Sequence, residues 1–306
     1  MTPAPDDGTP AGTARLAIRR LARNTGGDVQ ELQTLYVLEA LLARLAASPD
    51  RDDFVLKGGV LLAAFAVRRP TKDIDLEATR LNNDANEVST RFREIAILDL
   101  PDGVVFDQDS ITAAVIRDDD EYAGIRVKLI GRLGTARLTI GVDVNFGDPI
   151  WPRPILTALP RLVDLGQPPV QLLGYPLTMV LAEKIITAID RGVANTRWRD
   201  FADIHTLIRV HHVQADELAT SLRVVASYRR VQFRPLSVVL QGMPRVAQQK
   251  WRAWRSRVHR EEELPARFGE VLAAIAAFSD PVLLGNLTRA MWNPRTAKWL
   301  ENASIE

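Results

Sequence analysis

Two carboxylates one residue apart, Asp73 and Asp75, stand a short way downstream of a Lys57-Gly58-Gly59 turn. The segment from Phe54 to Ala78 reads FVLKGGVLLAAFAVRRPTKDIDLEA. An apolar run ends in paired glycines, a short helix-like stretch follows, and a strand-like stretch then carries the two acids. Residues i and i+2 of a strand project from the same face, so Asp73 and Asp75 stand side by side. Two like charges held that close call for a divalent cation, and hard carboxylate oxygens suit Mg²⁺, which completes its shell with water and substrate phosphates. Glycines without side chains let backbone N–H groups come close to a phosphate. The expected chemistry is that of a metal meeting a nucleoside triphosphate. Alone, each piece has a plainer reading, the glycines as a turn and the acids as an exposed strand. Their order and spacing, with basic residues between them, favour the functional one.

The elements that must position these residues follow from periodicity. Leu32, Leu35, Tyr36, Leu38, Leu42 and Leu45 recur at helical spacing, which predicts a helix from Gln30 to Ala47. A short helix is expected over Ala63 to Val67, a strand over Asp73 to Glu77, and a helix over Asn83 to Leu98 capped by Asn83 or Asp84. Stretches rich in β-branched residues, Val104 to Phe106, Ile111 to Arg117, Ile125 to Ile130 and Arg137 to Asn145, read as adjacent antiparallel strands separated by polar turns such as the run Asp118 to Glu121. In the last of them Leu138, Ile140, Val142 and Val144 share one face, and Thr139, Gly141, Asp143 and Asn145 the other. Prolines punctuate the chain from Pro149 to Pro176. Helices are then expected over Leu177 to Asp190, Trp198 to Val210, Ala215 to Tyr228, Ala247 to Val258 and Leu264 to Phe278. The expected organisation is a tail and lead-in helix over 1–28, a catalytic domain over 29–165 and a basic helical domain over 166–306.

Composition narrows the class. The 306 residues are 46% hydrophobic and 25% charged, with no Cys, which removes disulfides and thiolate zinc sites. No stretch approaches the ~18 uninterrupted apolar residues of a membrane span. The N-terminus has no basic-then-apolar leader, so a cytoplasmic protein is expected, with a small, polar, Pro-rich tail that is mobile. Net charge is +1 but uneven: Lys72 to Glu121 holds 14 acids against 5 Lys and Arg, whereas Arg191 to Arg260 holds 14 Lys and Arg against 4 acids. An acidic half can hold metal and a basic half can hold a polyanion. Solvated helix faces are the plainer account of the same runs. No Gly-x-x-x-x-Gly-Lys phosphate loop and no Gly-x-Ser-x-Gly elbow is present.

The motif Leu56-Lys57-Gly58-Gly59 with Arg69-Pro70-Thr71-Lys72-Asp73-Ile74-Asp75-Leu76 resembles the nucleotidyltransferase superfamily signature. More narrowly it resembles the AbiEii/AbiGii toxin family, which includes the MenT toxins. A second cluster strengthens the likeness: Glu183-Lys184 on one helix, then Arg199-Asp200-Phe201-Ala202-Asp203 at the start of the next. The resemblance implies an α/β (α+β) fold, a polymerase-β-like mixed sheet with a C-terminal helical domain. It also implies a toxin that transfers NMP from an NTP to a tRNA 3′ end, with Mg²⁺ or Mn²⁺, under the control of an antitoxin. It assigns Asp73 and Asp75 to the metal and Lys184 to catalysis. It leaves open whether Asp200 or Asp203 is the essential downstream acid, and whether Asp143 is required. Lys57, Gly58, Gly59, Arg69 and Asp200 are the candidate nucleotide contacts, with Lys57 the first choice for phosphate. Thr71 is a candidate for silencing by phosphorylation. A transferase acting on a small molecule such as an aminoglycoside, or on a protein, is the alternative, and a non-catalytic binding protein of the same fold the second.

Overall fold

The computed structural model describes residues 8–116, 124–287 and 289–301. The start of the expected mobile tail and the turn around Asp118 to Glu121 lie outside these residues. The chain divides into two compact units, residues 1–148 with 154–175, and residues 149–153 with 176–306.

In the first unit α1 (Pro10–Thr25) starts on a Thr9 cap and stops at Gly26 in the left-handed conformation, and α2 (Val29–Ala47) starts on Asp28, whose side chain accepts the Glu31 N–H. β1 (Phe54–Lys57) runs directly into α3 (Gly58–Leu61) and a 3₁₀ turn over 62–65. This helix begins earlier than the spacing predicts, because the glycines themselves form its first turn. Next come β2 (Asp73–Ala78), α4 (Ala85–Ala96) capped by Asp84, β3 (Val104–Ile116), β4 (Gly124–Leu133) and β5 (Ala136–Phe146). The two expected strands around Phe106 and Ile111 are one strand, with its pairing to β4 interrupted between Asp107 and Thr112.

Two further strands, β6 (Ile155–Leu159) and β7 (Val170–Gly174), complete a seven-stranded sheet in the order β3-β4-β5-β2-β1-β7-β6. β2 pairs with β5, and β1 with β7, in parallel, and the other pairings are antiparallel. The prolines on either side of β6 and β7 hide these strands in the sequence, and the expected boundary near Gly166 moves to Tyr175 because β7 belongs to the sheet. One sheet face is apolar and buried, with Ile74, Leu76, Val127, Leu129, Ile140 and Val142, and it packs on α2 and α4. A Cβ at Gly131 would run into Val37 of α2, so the sheet and helix touch backbone to side chain there. A buried Arg44–Asp102 ion pair at 2.6 Å, with the Tyr36 hydroxyl donating to the Asp102 carbonyl, ties α2 to the chain entering β3.

The second unit is helical: α5 (Leu177–Arg191), α6 (Trp198–Val210), then β8 (Val213–Gln214), α7 (Ala215–Tyr228), α8 (Leu236–Val239), α9 (Met243–Arg257) and α10 (Phe268–Leu283). β9 (Ala290–Asn293) and β10 (Lys298–Glu301) form a small sheet with β8. The 149–153 segment joins this unit through the Ser221 hydroxyl, which donates to the Trp151 carbonyl. Trp251 is fully buried and stacks on Trp254 and Phe268, and a second cluster joins Phe278, Trp292 and Trp299. Trp251 and Trp254 at i, i+3 are therefore core. Arg255 is buried too, donating to the Pro265 carbonyl. No helix of the described residues is long and apolar enough to cross a membrane.

Candidate active site

The sheet's second face carries polar side chains in cross-strand rows. Antiparallel pairing sets Lys57 opposite Asp75, parallel pairing sets Asp75 opposite Asp143, and β4 sets Arg126 opposite Asp143. Directly paired residues share a face, so Lys57, Asp75, Asp143 and Arg126 form one row across four strands. Asp73 begins the next row, opposite Gly141.

The glycines are fitted to these acids. Gly58 has φ +67°, and a Cβ there would occupy the position of the Asp75 carboxylate. The Gly59 N–H donates to Asp75 Oδ2 at 3.4 Å. Gly141 likewise leaves room for Asp73 Oδ1, which a Cβ would overlap. Arg69 and the Thr71 hydroxyl lie over Gly59, and that hydroxyl donates to the Asp73 carbonyl at 3.3 Å. Arg68 turns away, pairing with buried Glu39 of α2 and donating to the Pro160 carbonyl. Burial pushes the Asp75 carboxyl up to about 6; the neighbouring Asp143 charge adds to this and Lys57 opposes it.

Lys57 does not point at open space. Its ammonium is buried between Glu77 Oε2 at 3.1 Å and Asp148 Oδ2 at 2.5 Å, and the Asp148 N–H donates to Glu77 Oε1. Burial pushes the Glu77 carboxyl up, with Lys57 pulling the other way. The expectation that Lys57 meets phosphate gives way to a strut that joins β1, β2 and the chain leaving β5. Glu77 completes the i, i+2, i+4 series from Asp73, so strand periodicity alone could have found it. Asp143, expected as a third acid, is held by Arg126 through two bonds of 2.7 and 2.6 Å. Among the described residues no three or more His, Cys, Asp or Glu side chains gather as a metal-binding set. Asp73 and Asp75 nevertheless fit a divalent ion. They are same-face carboxylates, one with a raised proton affinity, in a cradle that glycines keep open, and substrate phosphates can fill the remaining positions.

In the helical unit, Lys184 of α5 sits between Asp200 Oδ1 at 2.7 Å and Asp203 Oδ2 at 2.9 Å, both on the first turns of α6. Asp203 is fully buried. Burial pushes Asp200 up, but Lys184 and then Arg197, at 2.8 Å, more than offset it and bring its carboxyl down to about 2. The sequence cluster is thus one network in space. His205 is buried, and burial, then Arg209 and Arg260, bring it down to about 4, so it is a neutral imidazole and not a cationic partner for the acids.

The family model described as nucleotidyl transferase AbiEii toxin, type IV TA system, matches residues 40–274, and the chain belongs to that family. Nucleotidyltransferases of this family use an NTP and a divalent metal, and a type IV toxin implies an antitoxin partner. Among solved structures the chain is similar to JHP933 from Helicobacter pylori, with 14% identity, a TM-score of 0.47 and coverage of 84% of this chain and 93% of that one. It is also similar to MenT4, a nucleotidyltransferase toxin from Mycobacterium tuberculosis H37Rv, with 18% identity, a TM-score of 0.47 and coverage of 90% and 99%. No curated protein matches the sequence.

Proposed function

We propose that this toxin transfers NMP from an NTP to the 3′ end of tRNA, with Asp73 and Asp75 as the metal ligands. The observation that carries the reading is the Asp73–Asp75 pair facing the Gly58–Gly59 cradle, with Asp75 raised to about 6. A divalent ion there would supply positive charge for the triphosphate oxygens. Gly58 and Gly59 keep the approach to the carboxylates free of side chains, and Arg69 over Gly59 offers a guanidinium to the phosphates. Asp143, oriented by Arg126, is the acid placed to receive a proton from an acceptor hydroxyl. That hydroxyl attacks the α-phosphorus, the bond to the bridging oxygen breaks, and pyrophosphate leaves. Lys184 is a further catalytic candidate on the strength of the family resemblance alone, since Asp200 and Asp203 hold its ammonium much as Glu77 and Asp148 hold that of Lys57. Thr71 is the regulatory position: a phosphate on its hydroxyl would add negative charge beside Gly59 and Asp73 and exclude the triphosphate.

The choice of RNA as acceptor rests on the basic stretch from Arg191 to Arg260, a charge pattern that a small-molecule transferase does not need. The test is incubation with total tRNA and each NTP, labelled at the α-phosphate, in Mg²⁺, followed by sizing of the products. Label in lengthened tRNA supports the reading. Label in protein or in a small acceptor, with tRNA unlabelled, replaces it with the alternative.

A further inference from the structure

The polar face of the sheet does not end at the carboxylates. Beyond them β5 and β4 continue outward, and their side chains on this face are Arg137, Thr139, Gly141 and Asp143 on one strand and Arg126, Lys128, Ile130 and Arg132 on the other. Arg126, Lys128, Arg132, Arg137 and Thr139 are exposed, in contrast to the opposite face, which α2 and α4 cover. Two of the four cations have acidic partners, Arg126 with Asp143 and Arg132 with Asp107 at 3.2 Å. Lys128 and Arg137 have none among the described residues. Arg132 and Arg137 stand directly opposite one another, and Asp107 offsets only one of these two like charges. Lys128 is opposite Gly141, and Gly141 opposite Asp73, so no side chain intervenes between this lysine and the metal-binding pair. At ~4.8 Å per strand, the Lys128 and Asp73 backbones are about 10 Å apart. At ~3.3 Å per residue, Lys128 and Arg132 are about 13 Å apart along β4.

From this continuity we infer that the single-stranded end of the RNA acceptor lies across the open face of β4 and β5, with its phosphates on Lys128 and on the Arg132–Arg137 pair and its terminal hydroxyl directed to Asp143 and Asp73. The inference rests on the reading of an RNA acceptor and specifies its path. No aromatic side chain is on this face of β3, β4 or β5 among the described residues, so the grip is electrostatic and insensitive to base identity.

The test measures binding of a labelled single-stranded RNA of about a dozen nucleotides, within the usual span of such sites, to the full chain at several salt concentrations. Wild type is compared with Lys128→Ala/Arg137→Ala and with Arg295→Ala/Lys298→Ala, which removes two exposed cations of the β9–β10 hairpin, outside the basic stretch from Arg191 to Arg260. The sheet-face pair should weaken binding and lower the log–log salt slope by about 1.4, at ~0.7 for each lost phosphate contact on a single strand. The hairpin pair should leave both unchanged, and NTP binding should survive in all three proteins. An unchanged slope in the sheet-face pair, a loss confined to the hairpin pair, or no binding by wild type each overturns the inference. Failure of the acceptor reading is seen separately, as absence of label in tRNA with the wild-type chain.

Discussion

Asp75 and Asp200 belong to different units, and burial pushes both carboxyls up. Asp75 ends near 6, because Asp143 adds a second negative charge and the one opposing ammonium, Lys57, is shared with Glu77 and Asp148. Asp200 ends near 2, because Lys184 and Arg197 both hold it. At Asp75 burial and Asp143 outweigh Lys57 and Arg69, whereas at Asp200 Lys184 and Arg197 outweigh burial. Under the proposed function the contrast separates two uses of acids: Asp73 and Asp75 would form a place for a cation that the chain does not supply, whereas Asp200 and Asp203 fix the position of a cation that it does. The charged form of Asp75 weakens the fold and that of Asp200 strengthens it.

Lys184→Ala should have the largest effect on stability, a loss of about 3–5 kcal/mol, since it strands fully buried Asp203 and its neighbour without a counter-charge. Denaturant unfolding measures it, and a loss within ordinary surface-mutation scatter would dissolve the contrast. Asp200→Asn should cost about 2 kcal/mol at neutral pH, since ~1.4 kcal/mol accompanies each tenfold change in proton affinity between the folded and unfolded chain. Its folded carboxyl titrates below its unfolded one. The stability it contributes is therefore complete above about pH 4 and lost as pH falls toward 2, and the variant should lack that part of the acid limb. Asp75→Asn should act in the opposite direction, gaining about 2–3 kcal/mol in metal-free buffer at pH 7 because a destabilising charge is removed. For this group the folded carboxyl titrates above the unfolded one, so wild type should gain stability as pH falls through 6 toward 4. A variant less stable than wild type at pH 7 would mean that Asp75 is already satisfied by the protein.

How much of this was legible in the sequence depends on the range of each interaction. Asp73 and Asp75 were readable from strand alternation, and Asp143 from the polar side of β5, because the period of two is local. The Lys184, Asp200 and Asp203 cluster was readable only through its resemblance to the family's second motif, although its residues lie on successive helices. The partners were not readable. Arg126 meets Asp143 only through the β4–β5 register, and Lys57 meets Asp148 only because the chain leaving β5 folds back over β1. Lys57 looked like a phosphate ligand because its glycine neighbours are visible in the sequence and its two carboxylate partners, 20 and 91 residues away, are not. β6 and β7 were obscured by the prolines beside them, although β7 is an inner strand whose place is set by parallel pairing with β1.

Under the proposed function Asp73 and the destabilised carboxylate of Asp75 hold a divalent ion for nucleotidyl transfer. The most direct test is transfer of α-phosphate label from NTP by wild type, Asp73→Asn and Asp75→Asn in Mg²⁺, with unfolding curves recorded on the same preparations. The expected result is a fall in transfer of about a thousandfold or more in each variant, the scale set by losing electrostatic stabilisation of several kcal/mol, together with a folded state at least as stable as wild type for Asp75→Asn. Transfer at the wild-type rate by either folded variant would contradict the account.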